Sequence, residues 1–162
     1  NPDDLNLLLA EAELYIKLEK MDKFGELMQQ AVKMDPNNPT LFFNLGVVNY
    51  NQNKIEEANG YYKKAIELDP NYRDAYLNLA YSILNERVAI VEEMNNNLSN
   101  FKKYDALEQK QKEVCKKALP YLIKADEMKR TLDTVKTLLN IYDTLEMDEK
   151  SSEFRALYKK MK

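Results

Sequence analysis

There is no histidine among the 162 residues of this chain, and no tryptophan. The missing histidine removes the commonest general base, the usual zinc ligand sets and every Ser–His or Cys–His nucleophile pair. The single cysteine, Cys115, has no intrachain partner for a disulfide and reads as a small core residue. Three glycines, Gly25, Gly46 and Gly60, stand isolated, so there is no glycine-rich phosphate loop. No run of about 18 apolar residues occurs, which excludes a membrane-spanning helix from the expectation. Prolines number five, and long stretches of Leu, Ala, Glu, Lys and Gln favour helix.

Charge of one sign is also missing. The net charge is −3. Residues 1–100 carry 9 basic and 16 acidic side chains, a net of −7, and residues 101–162 carry 15 and 11, a net of +4. A nucleic-acid binder shows a basic face over most of its length, so no nucleic-acid partner is expected. The carboxylate neighbours Glu56/Glu57 and Glu92/Glu93 read as exposed helix charge. Asp35-Pro-Asn-Asn38 lacks the alternating oxygen ligands and closing Glu of a calcium loop. No catalytic residue, metal site or cofactor is expected, and the chain reads as a non-enzyme.

What is present is a repeat. AVKMDPNN at 31–38 returns as AIELDPNY at 65–72, 34 residues later. Blocks beginning at Leu5, Pro39 and Arg73 carry Leu8, Phe42 and Tyr76 at the fourth place and the small residues Ala12, Gly46 and Ala80 at the eighth. Met28 and Tyr62 stand at the 24th place, Ala31 and Ala65 at the 27th. Each block holds two apolar stretches at helical spacing. The small eighth residue lets two helices approach closely, and the closing Pro36 or Pro70 cannot continue a helix. Two short helices cannot bury their faces alone, so successive pairs must stack. Pro2 stands 34 residues before Pro36 and reads as the tail of an earlier block, so the chain is expected to be a piece of a longer array.

The third block is interrupted. Gly46 and Ala58 are 12 apart, whereas the matching Ala80 and Ala118 are 38 apart, an insertion of about 26 residues. Ile83, Leu84, Val88, Val91 and Met94 continue one helix, Asn95–Asn100 turns, and Tyr104, Leu107, Val114, Cys115 and Ala118 run back. The reading is a lengthened hairpin over about 88–113, with Pro120 expected to bend the returning helix. Gln111 between Leu107 and Val114 leaves its seam thin.

The 34-residue period, the small eighth residue, Ala58 and Ala65 in the second helix and the closing Pro36 and Pro70 resemble the tetratricopeptide repeat (TPR). The chain is also similar to uncharacterised bacterial TPR proteins with a long hairpin in a late repeat. Glu11 departs from a usually apolar place, Phe24 from a usually small one and Asn49 from one that is often aromatic. The resemblance implies an all-α solenoid of antiparallel helix pairs in a single domain spanning 1–162. The pairs would run about 5–38, 39–72, 73–131 with the extended hairpin, and 132–162.

The family's fold implies further that first helices line a groove. The groove residues would be Leu9, Phe43, Asn44, Val47, Tyr50, Leu77, Asn78 and Tyr81, with Leu84 beside them. Asn in the place of Asn44 and Asn78 often holds the backbone of a bound peptide in the family. The places of the family's carboxylate clamp hold Leu9, Glu13, Asn44, Asp74 and Asn78; only Asn44 fits, so that mode is excluded. The implied function is non-catalytic binding of a partner protein or peptide. The alternative is a scaffold or homo-oligomer built through the hairpin. Asn1-Pro2 carries no address, which leaves a cytoplasmic, periplasmic or exported location open.

Overall fold

The computed structural model describes residues 4–162. Pro2, the supposed close of an earlier block, lies outside the described residues. Among the described residues there are eight helices and no strand. They are α1 (Leu5–Lys17), α2 (Met21–Met34), α3 (Pro39–Asn51), α4 (Ile55–Leu68), α5 (Arg73–Asn95), α6 (Phe101–Met128), α7 (Leu132–Thr144) and α8 (Asp148–Met161). The all-α helix-pair architecture expected from the sequence is the one observed.

Local chemistry sets the helix ends. Asp4 caps α1 by accepting from the backbone N–H of Asn6 at 3.0 Å and Leu7 at 3.2 Å. Asn38 caps α3 by accepting from the Thr40 N–H at 3.1 Å, and Pro39 fills the first turn, where no donor is needed. In the closing turns α2 stops at Met34 and α4 at Leu68, each just before Asp-Pro. Asp35 then accepts from the Asn38 side chain at 3.0 Å, and Asp69 from the Asn71 N–H at 2.9 Å. The repeated Asp-Pro-Asn is therefore a stop followed by a start. At the corner inside three pairs, Glu19, Asn53 and Glu146 take a left-handed conformation, with φ of 57°, 60° and 57°.

The chain forms two compact units, the first through Asn78 and the second Leu79–Lys162. The first unit's core gathers Leu8 and Ala12 of α1, Phe24, Met28 and Ala31 of α2, and Leu41, Leu45 and Val48 of α3. Phe24, out of place in the family pattern, is a buried member of it. The small eighth residue does what its spacing implied: a Cβ added at Gly46 would overlap the Tyr62 ring of α4.

In the second unit α6 has 28 residues and α7 13. The later turns of α5 run antiparallel to α6. Glu93 pairs with Lys103 at 2.8 Å and Glu86 with Lys110 at 3.0 Å, seven residues on along each helix in opposite senses. The seam holds Ile90, Met94, Leu107 and Val114, with Ile83 and Tyr104 against them. Asn100 caps the return by accepting from the Lys103 N–H at 3.2 Å. α6 passes Pro120 unbroken as a single helix.

The junction of α6 with α7 is polar and closed. Buried Asp126 accepts from the Thr134 hydroxyl at 2.5 Å and from Arg130 Nε at 2.9 Å. Thr131 and Thr134 complete a reciprocal capping box at the start of α7. The last pair closes on the Tyr142 and Phe154 rings, 5.1 Å apart edge to face, with Arg130 5.7 Å over Phe154.

Candidate functional site

Residues spaced three and four apart share a helix face. On α3 this groups Thr40, Phe43, Asn44 and Val47, and in the first turns of α5 it groups Asp74, Leu77 and Asn78. In the first unit these side chains converge on two tyrosines. The Phe43 ring lies 5.1 Å from Tyr72 and 5.9 Å from Tyr62. The Tyr72 hydroxyl is hydrogen-bonded to Thr40, and burial outweighs that bond to push the phenol above its ordinary range. Tyr62 is 2 % exposed. Its burial pushes the phenol up to about 12, against the opposing pull of a hydrogen bond with Asn78.

The two asparagines thus have internal partners. Asn78 is bonded to Tyr62, and the Asn44 amide donates weakly to Met28 Sδ at 3.8 Å. An asparagine amide has two donor hydrogens and an acceptor oxygen, so Asn44 keeps its oxygen and one N–H for another molecule. Both residues, with Val47, Tyr50 and Leu77, are half-buried. Leu9 is half-buried too and packs on the first unit's core. Tyr81 lies in the second unit and is exposed.

In that unit α7 presents Asp133, Lys136, Thr137 and Asn140 along one face, and with Tyr81 of α5 they line a cavity of about 500 Å³. Arg87 of α5 reaches across, its terminal nitrogens donating to Asn140 Oδ1 at 2.7 Å and to the Thr144 hydroxyl at 3.1 Å. Beneath them Cys115 is buried. That burial pushes the thiol up, with Arg87 and Thr144 pulling the other way.

The α7 residues were missed in the sequence, although the signal was there. Counted from Leu132 they occupy the second, fifth, sixth and ninth places, the same places that Thr40, Phe43, Asn44 and Val47 occupy from Pro39. In the sequence Tyr62 stood out only as the 24th residue of its block. Nothing in its spacing tells that it would hold Asn78.

Family models for the tetratricopeptide repeat match residues 5–38 and 39–72. Over 85 residues, 52 % of this chain and 14 % of the other, the sequence is 32 % identical to a peroxisomal targeting signal receptor of Candida glabrata. Over 80 residues, 49 % of this chain and 9 % of the other, it is 31 % identical to the human protein O-mannosyl-transferase TMTC3. The chain therefore spans less than a sixth of the length of these curated relatives. Among solved structures it is similar to MamA, with a TM-score of 0.68 and 17 % identity over 99 % of this chain and 78 % of that one. It is also similar to the first TPR of Spaghetti (RPAP3), solved with the HSP90 peptide SRMEEVD. The TM-score there is 0.63, at 17 % identity over 90 % and 96 % of the two chains.

Proposed function

Because this chain is a tetratricopeptide-repeat protein, with repeats at 5–38 and 39–72, we propose that it binds an extended segment of a partner protein along the first-unit face of α3 and α5. The coarser statement, a protein-interaction module, follows from the repeats. The finer one is supported by a single arrangement: Asn44 and Asn78 recur at the same repeat place, each beside an apolar residue, Phe43 or Leu77. A peptide unit offers one donor and one acceptor, and an asparagine amide answers both. The Phe43–Tyr62–Tyr72 cluster supplies a stiff apolar floor, so little ordering entropy is lost on binding. The absence of histidine favours binding over catalysis.

The test compares three baits in affinity capture from a lysate of the source organism. Wild type is set against Asn44→Ala/Asn78→Ala and against Tyr62→Phe, which breaks the internal bond to Asn78 but leaves both amides. A partner kept by wild type and Tyr62→Phe and lost by the double variant is the expected result. Equal capture by all three removes the asparagines from the function.

A further inference from the structure

The first helices of the repeats carry comparable places, counted from the first residue of each. The third, seventh and tenth are Leu41, Leu45 and Val48 in α3, and Thr134, Leu138 and Ile141 in α7. All six are buried. In α1 the same places hold Leu7, Glu11 and Leu14, and all three are exposed, Leu7 at 58 % and Leu14 at 56 %. On α3 the second helix of the preceding pair covers this face. Val48 lies over Gly25 of α2, where an added Cβ would stand 3.0 Å from Val48 Cγ1. Asn44, at the sixth place, meets Met28 of α2 at 3.8 Å. The leucine face of α1 is therefore built like a docking face, and no helix among the described residues covers it.

The centre of that face says what must cover it. The seventh place is leucine in α3 and α7 but glutamate, Glu11, in α1. A carboxylate enclosed between two helices has to be paired, so the occupant must bring a cation there. The helices α2, α4 and α8 all begin at the seventeenth place of their blocks and can be compared directly. At the 24th place α2 and α4 offer Met28 and Tyr62, whereas α8 offers Arg155. At the 21st place, that of Gly25, α8 has the small Ser152. Both Ser152 and Arg155 are exposed. Arg155 donates to Asp143 at 2.8 Å from one terminal nitrogen, which orients the guanidinium and leaves other N–H groups for a second carboxylate.

We infer that the occupant is a second copy of this chain, its α8 lying on α1 as α2 lies on α3. Leu14 sits over Ser152, as Val48 sits over Gly25. Arg155 reaches Glu11 past the short side chain of Ala10, which holds the sixth place of α1. The departures from the repeat pattern at the two ends, an acid on α1 and a base on α8, thus answer each other. The wider charge agrees in sign, with residues 1–100 at −7 and 101–162 at +4, and favours this order of contact. The contact is heterologous, so each copy has one α1 face and one α8 face to offer. It uses neither Asn44 nor Asn78, and stands or falls apart from the peptide-binding face.

Sedimentation velocity of the whole chain tests this. The wild-type mass should rise with concentration between about 10 μM and about 1 mM, as suits a small interface. Leu14→Lys spoils the α1 face and Ser152→Arg the α8 face. Both positions are exposed, so both variants should keep their fold, which circular dichroism checks. Each variant alone should stay a monomer. Mixed in equal amounts they should form a dimer and nothing larger, because one intact α1 face meets one intact α8 face. Glu11→Lys should weaken the association about tenfold, since it sets like charges together. Assembly of Ser152→Arg alone would mean that two α1 faces meet, and overturns the proposal. Indifference to Glu11→Lys, or a mixture that stays monomeric, overturns it too. So does a wild-type chain that is monomeric to about 1 mM, which leaves the α1 face to some other helix.

Discussion

Tyr62 does three things with one ring. It fills the space that Gly46 leaves open, it packs against Phe43, and its hydroxyl meets Asn78. The phenol is held neutral by burial, its pKa pushed up to about 12 from the ordinary tyrosine value of about 10. A folded-state pKa raised above the unfolded one gives stability that is full below the unfolded pKa and is lost as pH climbs through the folded value. The window is therefore pH 10 to 12, and about 2–3 kcal/mol should go across it at roughly 1.4 kcal/mol per unit. Urea titrations at pH 9 and pH 12 would show this. Tyr62→Phe should flatten most of the difference, although Tyr72 and Tyr142, also pushed up by burial, leave a remainder. A fall as steep in Tyr62→Phe as in wild type would move the effect to those two.

At the scale of helices, the places that follow from backbone chemistry were legible. Pro36 and Pro70 stand just past the ends of α2 and α4, and Gly46 had to be small because the Tyr62 ring lies against it, whereas Asn38 was not singled out as the cap of α3. Of the α5–α6 seam, Met94, Leu107 and Val114 were read from the sequence, but Ile90 was not, and it takes the place expected for Val88 and Val91, which are exposed. Side-chain partnerships across helices were not legible. Arg87 with Asn140, and Asp126 with Thr134, are contacts that spacing does not encode.

Asp126 shows what such a contact is worth. It is 3 % exposed and takes hydrogen bonds from Thr134 and Arg130, tying the end of α6 to the start of α7. Asp126→Ala should cost about 2–4 kcal/mol, since it deletes a charged acceptor and strips buried Thr134 of a partner. Asp126→Asn keeps an acceptor for Thr134 and should cost less. Urea midpoints of the two variants at pH 7 test the order, and equal losses would mean that the charge, not the acceptor, matters.

Over the whole molecule, what the repeat determines is how far a disturbance travels. In a stacked array each pair meets only its neighbours, so stability is close to a sum of local terms. Gly46→Ala is a clean probe, because the new methyl overlaps the Tyr62 ring, a bulky group already packed against Phe43. Overpacking of this kind costs about 1–3 kcal/mol. Hydrogen exchange should then rise in α3 and α4, where amides open through the strained pair. Amides of α7 and α8 should keep their protection, because the Asp126–Thr134 junction and the Tyr142–Phe154 contact lie wholly within the second unit and are untouched. A uniform rise across all helices would show that the chain opens as one cooperative body. In that case a ligand held by Asn44 and Asn78 would stabilise α7 and α8 as strongly as α3, through mass action on a single unfolding equilibrium.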